Sequence, residues 1–309
     1  MSIRVAVVFN PGSGQSDEQL QSGVERALRG LGDVRAVHTS GEETFAADVA
    51  AGTDGARIVV AAGGDGTLNL TINALQERLD EHIFAVVPLG TGNDFARTLG
   101  LPSDPLEAAA SLQTAAACEI DLGVVSGAGT RRLFVNACMG GFPVEANKAI
   151  DAGVKKKLGP LAFILGGAKA LGDLDRSTVV VDEHQITDCI AVGVGNGRTA
   201  GGGIEMWPPA RPDDGRLDLC ALSADSIPAA VLLGAKVKAG NHQGAKGTVM
   251  LRGTDFVVDA DPPIEFNVDG ELVGLQTPAR FEIAGRVRFL GIPSAQNRGL
   301  RGSRRTERS

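Results

Sequence analysis

The chain has 309 residues, 43% of them hydrophobic and 22% charged, and its 42 glycines follow no three-residue period. That composition excludes a disordered, fibrous or collagen-like chain, and the length exceeds the usual domain of roughly 100–200 residues, so two domains are expected. A formal net charge of −7 excludes a general nucleic-acid binder, because a phosphate backbone is held through a basic field that releases counterions.

In chain order, short apolar runs alternate with helical patterns. "IRVAVVF" reads as a strand, and a helix follows with Leu20, Val24, Ala27, Leu28 and Leu31 on one face. Then come "DVRAVHT", a second helical stretch, "RIVVAA", a third helix carrying Leu68, Ile72, Leu75 and Leu79, and "FAVVPLG". This alternation predicts an open parallel sheet with helices on both faces, which binds ligands at the carboxyl ends of its strands. Beyond about Leu122, strands follow strands in "RRLFVNACMG", "STVVVDE", "DCIAVGVGN" and "GRLDLCAL". Period two at Phe256 and Val258, and at Phe281 and Ile283, predicts an antiparallel sandwich or barrel.

Two helical interruptions, 159–171 and 226–240, are too short and broken to cross a membrane. They read as core-packing helices, with the alternative that one lines a lipid pocket or touches a bilayer surface. The tail, 294–309, holds five arginines against one glutamate and is expected to be disordered, with weak attraction to anionic lipid as the alternative. No start segment resembles a signal peptide and no run reaches spanning length, so a cytoplasmic protein without a transmembrane segment is expected. Cys118, Cys138, Cys189 and Cys220 form no CxxC pair and predict buried free thiols, and four scattered histidines give a zinc site little support.

Three glycine loops carry the chemistry. "AAGGDGT" runs from a strand into a helix expected to begin at Thr67, with Thr67 as its cap. Unpaired N–H groups and the helix dipole favour an anion there, and Gly63, Gly64 and Gly66 permit close approach of a phosphate. Asp65 would repel a naked phosphate, so a divalent cation or a basic partner is expected beside it. "PLGTGNDFAR" repeats the design with Gly90, Thr91, Gly92, Asn93 and Asp94, and "NPGSG", with Asn10, Pro11, Gly12, Ser13 and Gly14, makes the third. Following three strands of one parallel sheet, the loops should converge on one edge. No GxxxxGK[ST] and no early GxGxxG occurs, which sets aside the Walker and common dinucleotide motifs.

"GGDGTLN", "PLGTGNDFAR" and "NPGSG" together resemble the diacylglycerol kinase catalytic domain family, the soluble bacterial lipid kinases related to diacylglycerol and sphingosine kinases. The resemblance continues through "VNACMGGFPVEANKAI", "KKLGPLAFILGGAKAL", "GNGRTAGGGIEMWPPARPDDGRLDL" and "FNVDGELV", about 290 residues in order. It implies an NAD kinase/diacylglycerol kinase-like α/β domain, 1–122 plus about 290–300, and a β-sandwich lipid-substrate domain, 123–289. It also implies ATP-dependent phosphorylation of a lipid hydroxyl, with diacylglycerol or a related lipid alcohol as acceptor, magnesium as cofactor, and peripheral work at a membrane surface. A second copy of the chain is an allowed partner.

By match, the nucleotide contacts are Asn10, Pro11, Gly12, Ser13, Gly14, Thr39, Gly63, Gly64, Asp65, Gly66, Thr67, Leu68, Asn69, Thr91, Gly92, Asn93 and Asp94. Glu271 falls on the family's general base, with Asp269 beside it, while Asp65 and Asp94 fall on acidic residues of the catalytic magnesium network. A separate structural magnesium would use Asp214 and main-chain oxygens of Arg211 and Arg216. The chain departs from many members at Leu70, where they carry Glu, and at Ala200, where an aromatic is frequent. Without the resemblance, "DGE" reads as a hairpin turn. Two other readings stand beside the lipid kinase. One is an NAD kinase-like soluble enzyme, which shares the GGDG loop; the other is a catalytically silent lipid-binding regulatory module.

Overall fold

The computed structural model describes residues 2–10, 18–141 and 176–291. Pro11, Gly12, Ser13 and Gly14, the helix expected over 159–171 and the arginine-rich tail lie outside the described residues. The chain divides into two compact units, one running to Ile120 and resuming at Val287, the other spanning Asp121–Arg286.

In the first unit, β1 (Arg4–Phe9), β2 (Asp33–His38), β3 (Ile58–Gly63) and β4 (Ile83–Pro88) form a parallel sheet in the order β2-β1-β3-β4. All six residues of β3 and the last five of β1 and β4 are buried, as expected of strands covered on both faces. Each fully buried aliphatic there, Val59 and Val60 among them, contributes about 1.5–3 kcal/mol. The connecting helices are α1 (Glu18–Leu28), α2 (Phe45–Gly52) and α3 (Asp65–Ala74), followed after β4 by α4 (Asp94–Thr98) and α5 (Pro105–Ser111). Asp104 caps α5 by accepting from the N–H groups of Leu106 and Glu107, both at 2.9 Å.

Two helix boundaries differ from the sequence reading. α3 begins at Asp65 and not at Thr67: Gly64 is its N-cap, and Thr67 lies buried inside the first turn. It also stops at Ala74, leaving Leu79 in a short 3-10 turn, because the chain must reverse to start β4 at Ile83.

The second unit is antiparallel. It opens within β5 (Ala116–Gly127) and continues with β6 (Thr130–Phe134), β7 (Ala137–Gly141), β8 (Ser177–Val181) and β9 (His184–Gly195). After the short pair β10 (Thr199–Ala200) and β11 (Ile204–Glu205) come β12 (Leu217–Ser223), α6 (Ile227–Lys238) and β13 (Thr248–Gly253). The unit closes with β14 (Asp255–Asp261), β15 (Glu265–Val268), β16 (Glu271–Gln276) and β17 (Ala279–Gly291). One core gathers Phe134, Phe256, Phe266 and Phe281, with the Phe266 and Phe281 rings edge to face at 5.3 Å. A second lies around Trp207, Cys220 and Leu222, and α6 packs onto it through Ala230, Leu233 and Val237. All four cysteines are free, and Cys138, Cys189 and Cys220 are buried. The end of β17 belongs to the first unit, where Phe289 pairs in parallel with Phe84.

The run read as one strand, "RRLFVNACMG", is two. β6 ends at Phe134 and β7 starts at Ala137, because the main chain between them is drawn to a carboxylate rather than to a neighbouring strand.

Candidate active site

The registers of the first sheet align its strand ends. Phe9 pairs with His38 and with Ala62, Ala62 with Val87, and Gly63 with Pro88. Asn10, Thr39, Gly64 and Gly90 therefore leave the sheet along one carboxyl edge. The chain passes from β1 out to β2 and then back across β1 to β3 on its other side, so the strand order reverses between β1 and β3, the kind of switch point where open α/β sheets receive ligands. The strand ends are tied together there. Thr39 Oγ1 donates to the Phe9 carbonyl at 3.2 Å, and Asn10 Nδ2 donates to Thr67 Oγ1 at 3.5 Å.

The first two glycine loops of β3 and β4 lie against each other. A Cβ on Gly90 would sit 2.6 Å from the Gly64 Cα, so this glycine is required by the approach of two backbones. Asn93, at φ 53°, closes the second loop: its side chain accepts from the Gly90 N–H at 3.1 Å and donates to the Gly90 carbonyl at 2.6 Å. Asp65 fastens one loop to the other by accepting from the N–H groups of Asp94 and Phe95, both at 2.9 Å. Its carboxylate thus occupies the N-terminus of α4, while α3 starts on a glycine that brings no side-chain cap of its own. Phe95, next to this bond, rests edge to face on Phe289 at 5.0 Å.

Around Gly92 the two acidic residues turn to one point: a Cβ there would lie 3.2 Å from Asp65 Oδ2 and 3.6 Å from Asp94 Oδ2. Asp94 is buried and paired with Arg97 at 3.1 Å. Thr91 is exposed, Asn69 is buried and bonded to Asn73, and Leu70 is half-buried in α3. A rim of helix N–H groups with two carboxylates beside it fits a polyphosphate carried with a divalent cation.

In the second unit the "DGE" segment is the turn between β15 and β16, with Asp269 at φ 49° and Gly270 at φ 92° and Val268 paired to Glu271. Asp269 is buried, and its carboxylate accepts from the N–H groups of Val135, Asn136 and Ala137 at 2.8–3.0 Å. Its own N–H donates to the Ala137 carbonyl. The buried Asn196 completes the cluster, donating from Nδ2 to the carbonyls of Asp121 and Val135 at 2.7 Å, while its N–H bonds the Asn136 carbonyl. Three separated motifs, "VNAC", "GNG" and "VDGE", are thereby bound into one polar knot that fixes where Glu271 emerges, half-buried, at the start of β16.

Sequence reasoning missed Asn136 and Asn196, although both lie in the motifs that carry the resemblance. It also missed Arg132 on β6. Burial pulls the Arg132 guanidinium below its ordinary range, and the nearby Glu271 and Asp269 carboxylates oppose that shift.

The loop of Arg211, Asp214 and Arg216 carries the donors that the resemblance assigns to a structural magnesium. Asp214 accepts from the Arg216 N–H at 3.1 Å and forms an ion pair with Arg252. Arg252 also lies 3.6 Å from the buried Asp218, whose carboxyl is pushed up to about 6 chiefly by burial. Among the described residues no three His, Cys, Asp or Glu side chains gather closely enough to hold a metal ion.

Comparison with known proteins supplies independent findings. The diacylglycerol kinase catalytic domain model matches residues 4–125, and the YegS C-terminal NAD kinase beta sandwich-like domain model matches residues 136–289. The chain is 35% identical over 243 residues to "Probable lipid kinase YegS-like" of Stenotrophomonas maltophilia, covering 76% of this chain and 79% of the relative. The protein of the same description from Pseudomonas aeruginosa is 36% identical over 260 residues, covering 82% and 80%. A crystal structure of a diacylglycerol kinase from Bacillus anthracis superposes with a TM-score of 0.68 at 21% identity, covering 94% of this chain and 98% of that one. A second structure from that organism reaches a TM-score of 0.79 at 24% identity, covering 94% and 96%. At these identities the two structures bear on the fold alone, an α/β unit followed by an antiparallel sandwich.

Proposed function

We propose that this chain, which belongs to the YegS-like lipid kinase family, transfers the γ-phosphate of ATP to a lipid hydroxyl, with diacylglycerol or a related lipid alcohol as acceptor. The observation that carries the proposal is the meeting of the Gly64 and Gly90 loops at one carboxyl sheet edge, fastened by Asp65. The N–H groups that open α3 receive the phosphates, and Asn10, Thr39 and Thr67 support that edge from beneath. Asp65 and Asp94 would hold the magnesium that accompanies the nucleotide, which when bound neutralises charge on the phosphates. Glu271 accepts the proton of the lipid hydroxyl as its oxygen bonds to phosphorus and ADP departs. Asp269, with three main-chain donors on its carboxylate, is a positioning residue: it holds the turn that presents Glu271.

No step requires the Asp214 loop. No helix among the described residues is long and apolar enough to cross a membrane. The test is incubation with labelled ATP, magnesium and mixed micelles of diacylglycerol, a sphingoid base, phosphatidylglycerol or a prenol, with NAD in parallel. Label on a lipid is expected. Label on NAD alone would replace the lipid reading with an NAD kinase, and ATP binding without transfer to any acceptor would favour a silent lipid-binding module.

A further inference from the structure

The helix α6 is apolar on both sides. Its inner side, Ala230, Leu233 and Val237, is fixed to the Trp207 core. Its outer side exposes Ile227, Pro228, Val231, Leu232, Ala235 and Ala239, spaced as one helical face. Leu232 at 61% and Val231 at 53% are the two most exposed large hydrophobic side chains among the described residues. A helix packed on one side should show water a polar face on the other, and this one does not. Charge accompanies the apolar face. The helix has no acidic residue, carries Lys236 and Lys238 in its last turn, and is followed by the exposed Lys246, in a chain whose net charge is −7. Asp225, at the opposite end, accepts from Ser226 Oγ, and Glu205, beside Gly240 at the lysine end, is paired with Arg198.

We propose that the outer face of α6 seats the protein on an anionic lipid surface, with Ile227, Val231 and Leu232 entering the boundary between headgroups and acyl chains and the lysines reaching lipid phosphates. The inference rests on the lipid kinase reading only for its purpose, since a surface-bound enzyme meets its acceptor without extracting it. Twelve residues make a helix of about 18 Å, which suits lying in the interface and is too short to span the roughly 30 Å hydrocarbon core. Lysine stems can lie along the apolar surface while their ammonium groups stay wet, so the two features act together.

The test is co-sedimentation with phosphatidylcholine vesicles, with and without phosphatidylglycerol, at low and high salt. The wild type should bind the phosphatidylglycerol vesicles and weaken with salt. Val231→Asp with Leu232→Asp should weaken binding by roughly tenfold or more, since two buried apolar side chains are lost. Lys236→Gln and Lys238→Gln should each lower it roughly fivefold and reduce the preference for phosphatidylglycerol. Melting curves should stay unchanged, because all four side chains lie off the inner face. Wild-type protein left in the supernatant, or an aspartate variant that binds as the wild type does, overturns the proposal. So does a wild-type dimer that the aspartate pair turns into monomer, which would make a second copy the occupant. A short-chain diacylglycerol assayed below its micellar concentration separates the two readings. Equal turnover by the wild type and the aspartate pair confines the defect to docking, while vesicle binding without phosphorylation of any lipid keeps the docking face and removes the kinase.

Discussion

Asp65-Gly66 and Asp269-Gly270 are the same dipeptide in two settings. Asp65 opens a helix, whereas Asp269 stands in a left-handed turn between antiparallel strands. In both, the carboxylate reaches across to main-chain N–H groups of a distant segment: two on Asp94 and Phe95, three on Val135, Asn136 and Ala137. The difference is burial. Asp269 is enclosed, while Asp65 remains partly accessible and shares the space around Gly92 with Asp94. An aspartate in a glycine-rich motif can therefore be a fastener first. Only Asp65 keeps part of its carboxylate open beside a second acidic side chain.

The largest effect expected is on transfer itself. Glu271→Gln should lower kcat by roughly a hundredfold to ten-thousandfold while ATP affinity, read by calorimetry, stays near wild type. Full activity in that variant would overturn the assignment of Glu271 as base. Asp269→Ala should instead act on folding. Three buried N–H groups lose their acceptor, and a stability loss of roughly 3–5 kcal/mol is expected in urea unfolding. A loss no larger than that of Asp65→Ala would erase the contrast between the two aspartates. Asp65→Ala should cost about 1–3 kcal/mol and should also weaken ATP binding in magnesium more than in its absence. Gly90→Ala should cost a similar 1–3 kcal/mol by pushing the two loops apart, with weaker nucleotide binding and an unchanged Glu271 environment. The smallest effect concerns the thiols. Burial raises Cys138 well above its ordinary range and pushes Cys189 up to about 11 and Cys220 to about 12, so their thiolates are scarce at pH 8. A thiol reagent should titrate no more than Cys118 in the native protein and all four cysteines in denaturant.

Much of the architecture was legible because burial writes itself into residue type. β1, β3 and β4 are apolar throughout since both faces are covered, and Phe256 and Val258 alternate with outward residues because only one face is. The meeting of the glycine loops followed from the parallel rhythm alone. The break at Val135–Asn136 did not, because nothing local interrupts that apolar run; its cause is a carboxylate 133 residues further along the chain. The start of α3 was misplaced for a related reason. Thr67 has the chemistry of a cap, yet Gly64 holds that position and Thr67 Oγ1 takes the Asn10 amide instead. The ion pair of Asp214 with Arg252 was equally hidden in the sequence, because only the fold brings the two together across 38 positions.

Phe289 joins the first sheet from nearly the far end of the described chain, against Phe84 at 5.8 Å and Phe95 at 5.0 Å. During synthesis the first strands emerge long before the residue that finishes their core, so a ribosome that stops early releases a sheet with two phenylalanines uncovered. Phe95 sits one residue from Asp94 in the loop that Asp65 fastens, so truncated products should lose nucleotide binding together with compactness.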